Sequence, residues 1–303
     1  IKNLKILLHL NKTMNNYDLD GILVIKSEKV GPRVGVMAVT HGDEPAWIAA
    51  HKYLASYFEE NKLASWELLL ILWNPSAYQK KTICIEENLN RLFTEDSFLS
   101  DHQKNSFEYT RSRQLMPIIG QLDYLLDIHS TNNPGPVFSI VKSNHQKCWD
   151  LASILPVEFV SSGWNPYISW TTCDWIEKSG WVGITIECGD HNNPLGAKIA
   201  IQSTKKFLQA IGCYNFREEI SMCKKHFKVL SREAICDAST FQYSRTYINF
   251  EKIKPMEEIA FDSKKRYIAP DQDNLAIVFP TKIESIRSGA IKEAYLLGEF
   301  VSA

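Results

Sequence analysis

Short apolar runs alternate with amphipathic stretches along the first two-thirds of this chain. Residues 22–25 and 34–40 are short, β-branched and bounded by Gly or Pro, the pattern of strands. Residues 44–59 carry Trp47, Ile48, Ala50, His51, Leu54 and Phe58 at helical spacing, which predicts an amphipathic helix. Residues 67–73 (ELLLILW) are apolar throughout and stop at Asn74-Pro75, as a strand buried on both faces does. Two more strands are expected over 123–129 and 137–141, separated by a turn at Asn132-Asn133-Pro134-Gly135-Pro136, and another over 181–187. Residues 194–211 read as a helix with Pro194 near its start and Gly212 just past its end. The polar stretch 76–106, which holds Asn90-Arg91, reads as one long loop, and loops of that length in compact domains are usually functional.

Strands alternating with helices over 20–212 imply an α/β fold: a mixed, mostly parallel central sheet flanked by helices. The character then changes. Short β-type runs at 241–243, 266–268 and 275–279 are separated by polar turns, which predicts a small β-rich C-terminal domain. The expected division is 1–215 and 216–303, with the boundary inside 213–226. A chain of 303 residues with 45% hydrophobic content has ample material for such a core.

Charge narrows the function classes. With 34 basic against 35 acidic residues the net charge is −1, so the chain lacks the field expected of a nucleic-acid or membrane-surface protein. Neither kind of partner is expected; a small-molecule substrate is, and a homo-oligomer is compatible with the composition. Seven scattered cysteines without a CxxC pair suggest reduced thiols in a cytoplasmic protein rather than a disulfide framework or a thiolate metal site. The first residues, Ile1 to Lys5, lack the apolar core of a secretory leader, although without an initiator Met a removed leader stays open.

Chemistry concentrates at three strand ends. Val36 to Val39 runs into His41-Gly42-Asp43-Glu44, Leu125-Leu126 into Asp127-Ile128-His129, and residues 181–186 into Glu187. A histidine leaving a strand tip and an acid three residues later can face one metal ion, and His129 would complete a three-ligand site with a position open for water. Alone, His41-x-x-Glu44 is more simply a helix start with Glu44 complementing the dipole. Asp127 is either an acceptor that orients an imidazole or a turn-capping side chain. Glu187 read in isolation is a buried member of an ion pair. A Ser130/His129/Asp127 triad fails because adjacent strand residues face opposite ways. Cys188 as a nucleophile has only His191 as a conceivable base.

Five blocks in order, His41-Gly42-Asp43-Glu44, Asn74-Pro75-Ser76-Ala77, Asn88 to Phe93, Asp127-Ile128-His129 and Ile186-Glu187-Cys188-Gly189, make residues 34–190 resemble the succinylglutamate desuccinylase/aspartoacylase family of the zinc carboxypeptidase clan. The stretch from Lys254-Pro255 to Leu297-Gly298 resembles that family's β-rich domain, which partly caps the site. The resemblance implies one zinc ion per chain on His41, Glu44 and His129, with Glu187 as the general base toward a zinc-bound water. It implies that Asn90 and Arg91 hold a substrate carboxylate, and that Tyr295 lies over the substrate. The implied reaction is hydrolysis of the amide of a small N-acyl amino acid. A carboxypeptidase acting on a peptide C-terminus uses the same groups, and a non-catalytic zinc or small-molecule binder remains a reading of another class.

Two departures bear on that reading. The position seven residues before Asn90, an arginine in the family, is Ile83, and the acid two residues before it is Asn88. Loss of an electrophilic donor costs on the order of 10²–10³ in rate. Lys80, Lys81, Arg111 and Arg113 are the nearby cations available to replace it. Residues 170–181 contain no arginine for a second specificity contact.

Overall fold

The computed structural model describes residues 21–44, 47–63, 65–288 and 291–301. Residues 1–5, on which the leader question turned, and Pro45-Ala46 within the expected first helix lie outside the described residues. The first part of the chain gives β1 (Ile22–Lys26), β2 (Arg33–Ala38), α1 (Trp47–Glu60), β3 (Glu67–Leu72), α2 (Pro75–Lys80) and α3 (Asp101–Lys104). Next come α4 (Phe107–Ile119), β4 (Tyr124–Thr131), β5 (Phe138–Ile140), α5 (Gln146–Ser153), β6 (Phe159–Ser162), α6 (Thr172–Lys178), β7 (Val182–Asp190) and α7 (Gly196–Ala210). The remainder forms β8 (His226–Ala234), β9 (Gln242–Tyr243), β10 (Glu251–Lys252), β11 (Glu258–Phe261) and β12 (Arg266–Ile268), then β13 (Leu275–Val278), α8 (Ile283–Arg287) and β14 (Glu293–Val301).

The central sheet runs β1-β3-β2-β4-β7-β5-β6-β8-β14-β13-β10. Strands β3, β2, β4 and β7 are parallel and covered on both faces, which explains their unbroken apolar sequences. Alternate residues divide the cover. Val36, Leu70, Leu126 and Ile184 pack with Leu54 and Phe58 of α1, Leu151 of α5 and Phe207 of α7. Met37, Leu69 and Leu125 face the other way, onto Leu115 and Ile119 of α4 and Ile176 of α6. By the same alternation Asp127, His129, Thr185 and Glu187 point to the α4/α6 side.

Several elements differ from expectation for physical reasons. The stretch 76–106 is not one loop: it contains α2, α3 and two 3₁₀ turns, Leu89–Arg91 and Asp96–Phe98, each with polar residues that mask any apolar period. The sheet is mixed, as expected: β5 runs antiparallel to β7 and β1 antiparallel to β3. The C-terminal strands β8, β14, β13 and β10 do not build a sheet of their own; they prolong the central one through the parallel β6–β8 pair. Separate from it is a three-stranded sheet of order β12-β11-β9. All seven cysteines are free thiols. Among the described residues no helix is long and apolar enough to cross a membrane.

Candidate active site

Strands β2, β4 and β7 are parallel, so their C-terminal ends open on the same edge of the sheet, where ligands of open α/β folds gather. Strand β2 stops at Ala38 because Val39, fully buried, adopts a left-handed backbone with φ 67°. For a β-branched residue that conformation costs on the order of 1–3 kcal/mol and is found where surrounding structure over-determines it. Here Trp73 N–H donates to Ala38 O at 3.0 Å and Asn74 N–H to Val39 O at 3.1 Å, so the end of β3 holds the bend. The chain then makes a tight turn closed by Glu44 N–H to His41 O at 3.4 Å. Only glycine fits at position 42, since a Cβ there would lie 2.1 Å from the Ala77 carbonyl carbon of α2.

This turn brings three groups together. His41 Nδ1 lies 2.6 Å from Glu44 Oε1, and His129 Nδ1 lies 3.3 Å from Glu44 Oε2. One ligand-type atom from each of His41, Glu44 and His129 falls within 4.8 Å of the others. The far nitrogens of both imidazoles also meet acceptors: His41 Nε2 lies 3.3 Å from Asn88 Oδ1, and His129 Nε2 lies 3.1 Å from Asp127 Oδ2. Asp127 is itself fixed by the hydroxyls of Thr40 (3.2 Å) and Thr172 (2.9 Å). Its approach to His129 is too poorly aligned for a hydrogen bond, and among the described residues His129 Nε2 has no other acceptor. Glu187 is the cross-strand neighbour of His129 in the β4–β7 register, and its buried Oε2 has no hydrogen-bond partner among the described residues.

The electrostatics follow from burial and these contacts. Burial alone would raise the Glu44 carboxyl, yet the imidazoles of His129 and His41 bring it down to about 2. Burial opposes charge on His129, but Asp127 and Glu44 raise it well above the ordinary imidazole value. Glu187 is pushed up to about 8, first by burial; His129 pulls it back, while Glu44 and Asp127 add to the rise. A nitrogen–oxygen–nitrogen donor set converging on one point fits a divalent ion such as zinc.

These groups open on a cavity of about 480 Å³. Its wall carries Asn90 and Arg91. The Asn90 side-chain oxygen accepts from Thr172 N–H at 3.1 Å, which ties the 3₁₀ turn to the start of α6. Arg91 Nη1 donates to Asn90 O at 2.7 Å. The segment before them is organised by Glu108, a fully buried acid of α4 that the sequence reading missed. Its carboxylate accepts from the backbone N–H of Ile85, Glu86 and Glu87 at 2.6 to 3.1 Å and from the side chain of Asn74 at 2.9 Å. An acid in the first turn after a serine cap gives no sign of that task.

One expectation is corrected, and the cations left open as substitutes for Ile83 are placed. Tyr295 does not reach the cavity: its place in β14 turns it into the C-terminal core with Phe241 and Tyr267, 3% exposed. Arg111 does not replace a residue at position 83, because its guanidinium donates to the carbonyls of Trp73 and Leu72 at 2.8 Å. Arg113 is likewise occupied by Thr94 O, Leu92 O and Asp96. Lys80 and Lys81 are exposed and off the cavity wall, where Ile83 stands. Among the described residues the cations that line the cavity are Arg91, Lys142 and Lys282, and Lys142 was not foreseen. The Cys188 alternative does not survive: its conceivable base His191 bonds Ser130 Oγ at 2.8 Å instead, and burial raises the Cys188 thiol well above its usual range.

Comparison with known proteins bears on the same segments. Residues 30–212 match the family described as the succinylglutamate desuccinylase/aspartoacylase catalytic domain. A probable aspartoacylase of Nostoc sp. is 33% identical over 104 residues, 33% of this chain and 35% of that protein. A human N-acyl-aromatic-L-amino acid amidohydrolase (carboxylate-forming) is 30% identical over 122 residues, 38% of each. The chain thus matches little more than a third of the length of these curated relatives. The crystal structure of succinylglutamate desuccinylase from Vibrio cholerae superposes with a TM-score of 0.74 at 20% identity, covering 93% of this chain and 86% of that one. Murine aminoacylase 3 gives 0.67 at 19% identity, covering 91% and 97%. At such identities these two speak for the fold. The family match, which spans more than half of the chain, speaks for descent: this protein belongs to the succinylglutamate desuccinylase/aspartoacylase family.

Proposed function

We propose that this chain is a zinc-dependent amidohydrolase that splits a small N-acyl amino acid into a carboxylate and a free amino acid. The observation that carries the reading is the convergence of His41, Glu44 and His129 beside the partnerless oxygen of Glu187, on a cavity that also holds Asn90 and Arg91. His41, Glu44 and His129 would hold the metal. When bound, a zinc ion supplies Lewis acidity and lowers the pKa of a water toward ~7.

The protein's own groups do the rest. The planar guanidinium of Arg91, with Asn90 beside it, receives the substrate carboxylate and sets the amide at a fixed distance from the three ligands. Glu187, buried and without a competing donor, takes a proton from the attacking water and returns it to the departing nitrogen. The water oxygen ends in the new carboxylate, and the C–N bond breaks. Asn88 steadies the His41 imidazole from behind, and the Asp127 carboxylate faces the far nitrogen of His129 as a charge 3.1 Å away. The C-terminal part contributes Phe279 to Lys282, Ser285 and Ile291 to the cavity wall, which favours small substrates over peptides. Ile140, Trp164, Ile168 and Phe279 make much of that wall apolar, in accord with the aromatic substrates named for the human relative.

Hydrolysis of a panel of N-acyl amino acids tests the reading. Chelation should abolish turnover and added zinc restore it. Glu187→Gln should still bind zinc but lose on the order of 10²–10⁴ in kcat. Full activity in that variant would remove Glu187 from its role, and zinc binding without turnover on any substrate would leave a binding protein.

A further inference from the structure

A second cavity, of about 250 Å³, lies at the other end of the parallel strands. It sits where β4 and β7 begin, at Tyr124 and its register partner Val182. Tyr124 and His129 are roughly 17 Å apart along an extended strand. Among the described residues the two cavities share none of their lining. Local rules place the wall. Helix α6 ends in a Schellman closure: Gly180, left-handed at φ 81°, donates its N–H to Glu177 O at 2.9 Å, and Trp181 N–H donates to Ile176 O at 3.4 Å. That closure puts the Glu177 side chain and the half-exposed indole of Trp181 on one wall. The start of α5 supplies another part. There His145 Nδ1 accepts from Lys147 N–H at 3.3 Å, and the Lys147 ammonium lies 4.5 Å from the Tyr124 ring centroid while donating to the Tyr124 hydroxyl.

Two opposite charges thus line one small cavity without meeting. Glu177 Oε1 is buried and has no hydrogen-bond partner among the described residues. No ion pair joins it to Lys147 among them, because Tyr124 holds that ammonium. The other groups of the wall are already employed: Asp123 accepts from Arg33 N–H at 2.6 Å, and His145 caps α5. Burial, then Asp174, push the Glu177 carboxyl up to about 7, with Lys142 opposing. A buried carboxyl without a donor is costly, and a charged donor brought by a ligand relieves it. The volume lies below that of drug-sized sites, so the ligand is small.

We propose that this cavity binds a free α-amino acid, with its ammonium on Glu177, its carboxylate on Lys147 and an apolar side chain against Trp181. A lone amine gains only the first contact and still meets the Lys147 charge. A lone carboxylate gains only the second and meets Glu177 and Asp123. A zwitterion satisfies both ends at once. The site is independent of the proposed reaction, since none of the groups assigned to that reaction lines it.

Calorimetric titration of L-phenylalanine into the full chain decides it. Glu177→Gln and Lys147→Met should each weaken binding about tenfold or more. Phenethylamine and 3-phenylpropionate, each with one of the two charges, should bind the parent about tenfold or more weaker than the amino acid. Arg91→Met, which disables the other cavity, should leave the affinity within about twofold. At pH 7 the ligand ammonium should expel about half a proton from Glu177, read from titrations in buffers of different ionisation enthalpy, and Glu177→Gln should abolish that release. No binding, or binding that neither Glu177→Gln nor Lys147→Met weakens, overturns the proposal. So does binding lost in Arg91→Met, which would put the amino acid in the first cavity, or phenethylamine as tight as L-phenylalanine. If Glu177→Gln does not fold, Lys147→Met on the exposed side of the cavity and the two analogues decide alone. Failure of hydrolysis on every substrate would end the catalytic reading and leave this site standing.

Discussion

At the scale of single residues, the most instructive position is Asn88, where related sequences are expected to carry an acid. Its side-chain oxygen accepts from Asn90 N–H at 2.9 Å and lies 3.3 Å from His41 Nε2. One amide thus shapes the turn that presents Arg91 and steadies the ring of a metal-ligating candidate. Partners of this kind are typically worth 10–100-fold in metal affinity, so Asn88→Ala should weaken zinc by about that factor in a chelator-competition titration. Asn88→Asp should bind zinc at least as tightly as the parent, because a carboxylate accepts more strongly from the imidazole N–H. Equal zinc affinity in Asn88→Ala would show that His41 is oriented by its turn alone. That turn is itself strongly determined, by Val39's left-handed backbone and by Gly42 seated against Ala77.

Among elements, the contact between α1 and β2 sets the position of the His41 turn, and it carries a pH dependence. His51, on the buried face of α1, donates its Nε2–H to Val36 O at 3.0 Å. Burial lowers its pKa from 6.5 to about 4, with the Val36 carbonyl only partly opposing the shift. The unfolded chain takes up a proton as pH falls through about 6.5, whereas the folded protein resists until about 4. Stability is therefore intact above the upper value and declines across this window, by about 2–3 kcal/mol at pH ~4.5. His51→Gln, which keeps a donor for Val36 O, should flatten that part of the urea-unfolding profile; identical acid sensitivity in both proteins would refute the assignment. Elements of this buried kind were also the legible ones. Strands β2, β3, β4 and β7 announce themselves by apolar runs because both faces are covered, and their tips therefore display His41, His129 and Glu187. Helix α4 was invisible because Glu108, Arg111 and Ser112 are buried polar residues within it and Pro117 lies in its last turn. Lys142 was invisible for a related reason: one cation after a three-residue strand has meaning only once Asp174, more than thirty positions away, folds against it.

The whole molecule is organised by one sheet that passes through the point where composition changes. Strand β6 pairs with β8 in register Val160↔His226, and β8 hands the sheet on to β14, β13 and β10. Aromatic side chains interlock across that join: Phe138 and Phe250 have ring centroids 4.6 Å apart, and Phe227 and Phe250 4.9 Å. Ending the chain at residue 215 would uncover the edge of β6, take Phe250 from Phe138, and take Phe227, Phe250 and Phe300 from Phe159. It would also remove Phe279 to Ser285 from the cavity wall. An unpaired edge beside exposed aromatic rings favours association with other chains over solution as a monomer. Residues 1–215 alone should therefore aggregate, and the full chain should unfold in one transition by both circular dichroism and tryptophan fluorescence. Two separated transitions, or a soluble monomeric 1–215 fragment that binds zinc with the parent's affinity, would mean that the parts fold independently. The wall residues Phe279 to Lys282 and Ser285 lie in the connection between β13 and β14, so that wall hangs on strands of the same sheet that carries Glu187 and His129.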